Sequence, residues 1–517
     1  MQDVMMIIAR DLLFIVRRGC LLLTVGAALL FVPPAFSQSV PVVQLVKDIN
    51  PGSEGSDAAA FVKLNGVAYF RATDSAHGYE LWRTDGTDAG TEMVIDLNPG
   101  SVNGFPDSIA AVNGALYFNA FDTADFTGSK AWRSDGTAAG TTLLADTYPG
   151  LVGGGIFGPP LPGNFFALDA STILFTALDP EGGLEPWKTD GTAEGTSRII
   201  DLHPGPEWSI PIEFTDLRDV TYFAADDSVV YHHDGTATYN RELFRTDGTA
   251  EGTFRVKDIN PGPDPSTPTD FIRYNHFVFF SADDGVHGTE LWRTDGTDAD
   301  TVQVADINPG ASGSTPQYPI IARFQPAQTA ATSPNDRSGA RDVLLFLADD
   351  GTHGLELFRS DGTAEGTYLV KDINSTGDSV PLGMVEYKGR VYFSADDGVH
   401  GSEVWVTDGT EAGTQLFADL NPGALRSSPQ EFTVAGGRLF FVAIVPDDPH
   451  FTVRTQLWET DGTAERTELV YEEPGNDFGY GINNLTVLGN KLLFTAPNGI
   501  DQQGFSTDTE LFAASME

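Results

Sequence analysis

The chain repeats itself, and the repeat limits the folds that are open to it. A triplet of the Glu-Leu-Trp type occurs nine times, about 54 residues apart on average, and the first eight copies are each followed, after two residues, by Asp-Gly-Thr. The nine copies are Glu80-Leu81-Trp82, Lys130-Ala131-Trp132, Glu185-Pro186-Trp187, Glu242-Leu243-Phe244, Glu290-Leu291-Trp292, Glu356-Leu357-Phe358, Glu403-Val404-Trp405, Gln456-Leu457-Trp458 and Glu510-Leu511-Phe512. A second marker, Asp-Ile-Asn-Pro-Gly or a variant of it, lies between successive copies. Such a period indicates an array of similar units.

Each unit carries the signals of four short strands. An alternating stretch such as 271–274 ends at a turn, and a dense apolar stretch such as 278–282 follows. The triplet supplies the third strand, and a stretch such as 368–372 supplies the fourth after the Asp-Gly-Thr turn. Asn-Gly and Asp-Gly between apolar stretches are strong hairpin signals. No helical apolar period is sustained after residue 37, so the sequence predicts an all-β protein.

The two ends of the chain each hold part of one unit. Residues 43–48 resemble a fourth strand without a unit, and the chain stops just after the third strand of the ninth unit at 510–513. Pairing these segments completes the ninth unit and removes two exposed sheet edges. Four-stranded antiparallel units of this length are typical of propeller blades. We therefore predict a β-propeller of four-stranded antiparallel blades, with about nine repeats and the N-terminal strand closing the last blade. The alternatives are an open array, one unit outside the ring, and a division into two rings.

The first 37 residues differ in composition from the array. Arg10, Arg17 and Arg18 precede an apolar stretch at 19–32, which a proline pair and small residues up to Ser37 follow. This order is typical of a signal peptide, and the stretch is shorter than the ~20 residues of a membrane-spanning helix. We predict a signal peptide at 1–37, a propeller domain at 38–517 with a mobile insertion at 325–342, and a secreted, periplasmic or cell-surface protein. An uncleaved anchor is the alternative for 1–37; no later segment is apolar enough to cross a membrane.

The charge of the chain limits its partners. Asp and Glu number 73 against 30 Lys and Arg, which gives a formal net charge of −43 at pH 7. Binding to nucleic acid phosphates requires a basic face, and attraction to anionic lipids requires the same. The sequence therefore predicts no nucleic acid partner, and a protein or glycan ligand instead.

The repeat resembles a known family. The segment Glu290-Leu291-Trp292-Arg293-Thr294-Asp295-Gly296-Thr297 is similar to the ELWxxDGT repeat family of exported bacterial proteins. The resemblance extends over essentially the whole chain after residue 37, with departures such as Ala131, Pro186, Phe244 and Phe358. It implies a repeat protein and no particular enzymatic role, and the departures argue against identical ligand sites in every blade.

Aspartates supply the candidate cation ligands. Alternate turns of a meander lie on opposite faces, so the Asp-Asp-Gly loops share one face with the Asp-Ile-Asn-Pro-Gly loops, and the Asp-Gly-Thr turns occupy the other. The shared face would concentrate cations or basic ligands, and carboxylates are the ligands that calcium prefers. The candidate metal ligands are Asp283, Asp284, Asp349, Asp350, Asp396 and Asp397; a plain solvated acidic surface is the alternative.

Other recurring residues have simpler explanations. We expect the Asp-Gly-Thr turns to be structural, because Asp and Thr side chains bond to turn backbone. His77, His287, His353 and His400 come from different units and are expected to pack in turns; His232 and His233 are an adjacent pair in an irregular loop where a ligand role is open. The tryptophans are expected to pack between blades rather than to bind sugar.

These features favour an exported, non-catalytic binding scaffold with a divalent-cation-dependent, calcium-binding face. The alternative is a carbohydrate-active enzyme, a glycoside hydrolase or lyase that uses carboxylates on this face. Irregular loops at 226–241 and 446–454 are where a unique site would be built. A third interpretation is a redox propeller with a quinone cofactor, and its only support is the recurring tryptophan.

Overall fold

The structure is a computed structural model that describes residues 41–52, 54–122, 129–147, 163–179, 183–205, 207–231, 236–324, 341–446, 453–474, 481–500 and 506–516. The predicted signal peptide, His232, His233 and residues 325–340 lie outside these ranges. Residues 341 and 342, predicted to end the insertion, instead begin a strand. The described part of the chain contains no helix with the length and hydrophobicity that a bilayer crossing requires.

The described residues form nine sheets of four antiparallel strands, numbered here as blades in chain order. Blade 1 contains β2 (Ala59–Leu64), β3 (Val67–Thr73), β4 (Tyr79–Thr84) and β5 (Glu92–Ile95); blade 2 contains β6 (Asp107–Val112), β7 (Ala115–Ala120), β8 (Lys130–Ser134) and β9 (Thr142–Ala145); blade 3 contains β10 (Gly163–Ala167), β11 (Ile173–Asp179), β12 (Gly183–Thr189) and β13 (Ser197–Arg198). Blade 4 contains β14 (Ile212–Leu217), β15 (Val220–Tyr231), β16 (Ala237–Thr246) and β17 (Phe254–Lys257); blade 5 contains β18 (Thr269–Tyr274), β19 (Phe277–Asp283), β20 (Thr289–Thr294) and β21 (Val302–Ala305); blade 6 contains β22 (Gln317–Phe324), β23 (Arg341–Asp349), β24 (Leu355–Ser360) and β25 (Tyr368–Lys371). Blade 7 contains β26 (Leu382–Tyr387), β27 (Arg390–Asp396), β28 (Ser402–Thr407) and β29 (Gln415–Ala418); blade 8 contains β30 (Gln430–Ala435), β31 (Arg438–Pro446), β32 (Val453–Thr460) and β33 (Thr467–Glu472), with a 3₁₀ turn at Ala464–Arg466; blade 9 contains β34 (Asn483–Leu488), β35 (Lys491–Ile500), β36 (Ser506–Ser515) and β1 (Val42–Lys47).

The N-terminal strand closes the ring, as the sequence predicts. Blade 9 has the strand order β1-β36-β35-β34, and β1 pairs antiparallel with β36, with Val42 opposite Ser515 and Leu45 opposite Phe512. The first strands of neighbouring blades also contact one another all the way round, including β34 with β2. The protein is therefore a nine-bladed β-propeller, with all nine repeats in a single ring.

The first strand of every blade contains a bulge at its second residue. That residue has a positive φ in all nine blades, and in eight of them it is not glycine. Its side chain often reaches the next blade: Glu213 accepts a hydrogen bond from the Phe271 N–H, Asp270 from the Tyr318 N–H, and Glu431 from the Leu485 N–H. These bonds join consecutive blades near the centre of the ring. The nine bulge residues are Ala60, Ser108, Asn164, Glu213, Asp270, Tyr318, Gly383, Glu431 and Asn484.

The hydrophobic core lies between blades. Trp82 of blade 1 packs in one cluster with Leu488, Leu493 and Leu511 of blade 9, and its side chain is 6 % exposed. Trp292 and Trp405 are buried in equivalent clusters between their own and the preceding blade. The prediction that the tryptophans pack between blades is confirmed for these three.

The loops divide between two faces of the ring. Gly285, in the Asp-Asp-Gly loop of blade 5, lies close against Asn260 of the linker before that blade. A Cβ placed on Gly285 would come within 2.5 Å of Asn260 Oδ1. The loops between second and third strands therefore lie beside the linkers between blades, and we call this side the acidic loop face. The Asp-Gly-Thr turns occupy the opposite side, the DGT face, where Lys188, Arg293 and Arg359 each donate to a glycine carbonyl in the turn of the next blade.

Candidate functional site on the acidic loop face

The six predicted cation ligands lie in three loops, one in each of blades 5, 6 and 7. In blade 5, Asp283 Oδ1 accepts from the Gly285 N–H at 2.7 Å, and Asp284 Oδ1 accepts from the Val286 and His287 N–H groups at 2.9 and 2.8 Å. Blades 6 and 7 repeat this arrangement at Asp349 and Asp350, and at Asp396 and Asp397. The structure thus brings the two aspartates of each loop together, and each carboxylate accepts hydrogen bonds from its own loop.

The recurring histidines complete these loops. His287 Nδ1 lies 2.7 Å from Asp284 Oδ2, and the hydrogen bond to this carboxylate raises the pKa of His287. Equivalent pairs join His353 to Asp350, His400 to Asp397 and, in blade 1, His77 to Asp74. The four histidines belong to four different blades, and the expected packing in turns is confirmed.

A second set of carboxylates, which the sequence reasoning did not single out, lies beneath this face. The Glu of the repeated triplet is fully buried in seven blades. Glu290 shows its role: it accepts from the Ile307 and Asn308 N–H groups, both at 3.0 Å, and from the Ser314 hydroxyl at 2.6 Å. The carboxylate therefore holds the linker to the next blade. The seven residues are Glu80, Glu185, Glu242, Glu290, Glu356, Glu403 and Glu510.

Burial changes the protonation of these glutamates. Loss of solvent raises the pKa of Glu80 and Glu185 to about 8, and that of Glu242 and Glu510 to about 7, although backbone N–H donors oppose the change. The pKa values of Glu290, Glu356 and Glu403 are raised by burial as well. The recurrence of Glu at one position of the triplet was a sequence signal for a shared role. The role itself could not be predicted, because the hydrogen-bond donors of the Glu lie 17–24 residues further along the chain.

Two blades depart from this arrangement. In blade 2 the position is Lys130, whose ammonium group lies 2.8 Å from Asp122 and 3.7 Å from Asp146. In blade 8 it is Gln456, which donates to Glu472 at 2.6 Å, while the buried Glu473 accepts from the Thr455 N–H at 2.8 Å. In both blades, neighbouring carboxylates supply the partners of the changed residue.

Blade 9 holds the one group of three metal-ligating side chains found among the described residues. Oxygen atoms of Asp48, Asp508 and Glu510 lie within 4.8 Å of one another. Asp508 has a φ of 62° and occupies the position that Gly288 holds in blade 5. Glu510 also accepts from the N–H groups of Ile49, Asn50 and Ser56. This group lies at the ring closure. Glu510 and Asp48 have counterparts in other blades, whereas Asp508 is particular to blade 9.

Blade 4 replaces the short loop with a longer hairpin. The sequence predicts an irregular loop at 226–241, but β15 and β16 continue through most of it, with residues 232–235 outside the described chain. At 446–454 the strands reach only the two ends, with β31 running to Pro446 and β32 beginning at Val453, and residues 447–452 lie outside the described chain. In blade 4 the buried Asp226 forms a bidentate pair with Arg241, with both distances 2.9 Å. Cross-strand pairing has extended the hairpin where turn signals alone suggested a loop.

The Asp-Gly-Thr turns on the opposite face have the expected structural role. Asp85 Oδ1 accepts from both the Thr87 N–H and the Thr87 hydroxyl, at 2.9 and 2.6 Å. The Thr87 hydroxyl oxygen accepts in turn from the Gly90 N–H at 3.0 Å. Hydrogen bonds from Thr87 lower the pKa of Asp85. The same pattern recurs in the turns of blades 2–7, for example at Asp190 and Asp408.

Solved structures similar to this chain include one that is described as a β-propeller domain. The chain matches a mutant puromycin hydrolase complexed with PGG at 14 % identity and a TM-score of 0.40, covering 89 % of this chain and 60 % of that one. It matches Saccharomyces cerevisiae Sqt1 at 11 % identity and a TM-score of 0.36, covering 82 % and 96 %. It also matches the β-propeller domain of the Trilobed protease from Pyrococcus furiosus at 9 % identity and a TM-score of 0.35, covering 81 % and 98 %. The chain thus spans about 60 % of the length of the puromycin hydrolase that it matches. No family model matches the sequence, and no curated protein matches it.

Proposed function

We propose that this protein is an exported, non-catalytic binding scaffold whose acidic loop face takes up divalent cations, calcium foremost, and presents a charged surface to a protein or glycan at the cell surface. We also propose that it belongs to the ELWxxDGT repeat family, and the recurring triplet and Asp-Gly-Thr turn support this. The export part of the proposal rests on the signal-peptide pattern of residues 1–37.

The observation that carries the proposal is the repetition of polar groups around the ring. An enzyme needs a unique set of reactive groups that a substrate can reach. Here the loop carboxylates recur in similar form in blades 5, 6 and 7, and the glutamates beneath them are buried and engaged with backbone N–H groups. Repeated, already bonded carboxylates give the face a high negative charge that attracts cations and basic ligands.

The carbohydrate-active alternative requires two carboxyl groups that do not repeat and that are open to a substrate. Among the described residues, Asp48, Asp508 and Glu510 form a close group of three carboxyl groups, but only Asp508 lacks a counterpart in the other blades, so the first condition is not met. Glu510 also fails the second condition, because its side chain is fully buried and accepts from three backbone N–H groups. The same group is, however, the best placed to contact a cation, since Asp48 is exposed and Asp508 is partly so.

Thermal unfolding in calcium and in EDTA tests the cation part of the proposal. A ligand that binds only the folded state stabilises it by about 2.7 kcal/mol at a hundredfold excess over Kd, so we expect the melting temperature to be several degrees higher in calcium. The Asp508→Asn and Asp284→Asn variants should show a smaller difference, and Asp298→Asn, an exposed aspartate of the DGT face, should keep it. Identical curves in calcium and EDTA would contradict the proposal.

A further inference from the structure

The hairpin of the second and third strands in blade 4 is longer than the same hairpin in blades 5 and 7, and it carries exposed aromatic side chains. Its strands β15 and β16 are 12 and 10 residues long, whereas β19 and β20 of blade 5 have 7 and 6. Tyr231 is 65 % exposed and Tyr239 is 42 % exposed. Val229 pairs with Tyr239, and Tyr231 pairs with Ala237, so the two tyrosines are diagonal neighbours on one face of the hairpin. Exposed aromatics on a highly charged surface indicate a contact site.

A carboxylate completes this face. Glu207, from the linker before blade 4, accepts a hydrogen bond from the Tyr231 hydroxyl at 2.6 Å, and this bond raises the pKa of Tyr231. The arrangement therefore offers two aromatic rings beside one carboxylate. Aromatic rings attract cations through their faces, and a carboxylate binds the same groups by charge and hydrogen bonds.

The positive charges at the root of the hairpin are already paired. Arg241 is engaged with Asp226, and Arg255 lies 3.1 Å from Asp227 and 3.6 Å from Asp258. Asn240, which is 4 % exposed, donates to Asp227 at 3.2 Å, and its buried Oδ1 has no hydrogen-bond partner among the described residues. The root thus fixes the hairpin, and because both arginines are already engaged, they do not compete with a ligand that brings positive charge to the carboxylate of Glu207.

We propose that Tyr231, Tyr239 and Glu207 form a docking site for a lysine- or arginine-bearing segment of a partner protein. The cationic side chain lies against the tyrosine rings with its charge toward Glu207. The net charge of −43 attracts a basic segment before contact, and the ionic strength sets the range of this attraction. The paired root keeps the hairpin in place before binding, which limits the ordering cost. This inference rests on the proposed function in that it names one partner for the same acidic loop face.

Titration calorimetry with a capped lysine–serine peptide tests the site. We expect binding that weakens with added salt, and a loss of at least about fivefold in affinity in the double variant Tyr231→Ala/Tyr239→Ala. Glu207→Gln should weaken binding while keeping an acceptor for the Tyr231 hydroxyl. Tyr368→Ala removes a tyrosine of similar exposure, 47 %, from the outer strand of blade 6 and should leave the affinity unchanged. All the changed residues are at least partly exposed, so circular dichroism should show folded variants.

The other possible results distinguish an error in the docking site from an error in the proposed function. If the peptide binds the double variant as tightly as the unchanged protein, the docking site is wrong, but the acidic face as a binding surface stands. If the peptide does not bind while calcium still raises the melting temperature, the inference is wrong and the cation part of the proposed function stands. If a capped single lysine binds as tightly as the peptide, the partner is a small cation rather than a protein segment, and the inference is overturned.

Discussion

At the scale of single residues, the triplet contains two positions with opposite requirements. The glutamate is buried yet fully engaged, as Glu290 is with three donors. The aromatic residue is buried and incompletely satisfied: Nε1 of Trp82, Trp292 and Trp405 has no hydrogen-bond partner in the described structure. A buried donor without a partner costs about 1–3 kcal/mol. The packing of the ring, rather than the indole N–H, therefore explains the tryptophan.

Replacement of Trp292 by phenylalanine should be mild. Blades 4, 6 and 9 already carry phenylalanine at this position, as Phe244, Phe358 and Phe512, and the change removes an unsatisfied donor. We expect the free energy of unfolding to fall by less than about 1.5 kcal/mol for Trp292→Phe and by about 3–5 kcal/mol for Trp292→Ala. Denaturant unfolding of both variants measures the difference, and equal losses would show that the indole N–H is needed.

The buried glutamates should make the protein less stable as the pH rises. Their folded-state pKa values lie above the ordinary 4.5, at about 8 for Glu80 and Glu185 and about 7 for Glu242 and Glu510. The folded state therefore keeps protons that the unfolded state has released, so this contribution to stability is complete below pH 4.5 and is lost as the pH rises through 7 to 8. We expect a higher melting temperature at pH 5 than at pH 8.5.

A variant isolates the glutamate contribution. Glu80→Gln cannot titrate, so its stability should fall less between pH 5 and 8.5, by about 1–3 kcal/mol. The pKa of His287 is also raised, by its hydrogen bond to Asp284. The stability that His287 contributes is therefore also lost as the pH rises above 6.5. The His287→Asn variant is therefore the matched control for the histidine part. A protein that is more stable at pH 8.5 than at pH 5 would contradict this explanation.

At the scale of strands and loops, the N-terminal strand is the element with the largest consequence. β1 supplies the outer strand of blade 9, and the residues that follow it, Ile49 and Asn50, supply N–H groups to Glu510. Its removal would expose a sheet edge and leave a buried carboxylate with fewer donors. The stability of the ring therefore depends on a segment far from blade 9 in sequence.

Deletion of residues 40–52 should destabilise the protein strongly. We expect a loss of at least about 5 kcal/mol, because several contacts and buried hydrogen bonds disappear together. The control is removal of residues 1–37 alone, which leaves β1 in place and should not change the melting temperature. Unchanged stability after the longer deletion would mean that the ring does not need its ninth outer strand.

Loops were harder to predict than strands, for a physical reason. Turn residues at 226–241 indicated a loop, yet paired strands extend through most of this segment, whereas at 446–454 the described pairing reaches only the two ends. Cross-strand pairing depends on a partner that local composition does not reveal. The docking site at Tyr231 and Tyr239 arises from this extension, so the sequence could indicate the region but not the shared face of the two side chains.

At the scale of the whole molecule, the sequence predicted most of the architecture. The period of the triplet predicted about nine blades, and the incomplete units at the two ends predicted the closure between residues 43–48 and 510–513. Whether all nine units share one ring depends on contacts between blades, which only the structure shows. The division into two faces followed from the meander. The role of Glu290 and its equivalents could not be predicted, because their donors belong to the linker after the next strand and meet the carboxylate only in the folded ring.

A disulfide across the closure tests the ring directly. Val43 and Ala514 are opposed in the pairing of β1 with β36, and such Cα separations lie in the range that disulfides span. The chain has one native cysteine, Cys20, so a form that starts at residue 38 with Val43→Cys and Ala514→Cys contains only the new pair. We expect an intramolecular disulfide and a melting temperature that falls on reduction, whereas the control Val43→Cys/Ala496→Cys, whose second cysteine lies one strand further in, keeps free thiols. Free thiols or intermolecular dimers in the first variant would contradict a closed nine-bladed ring.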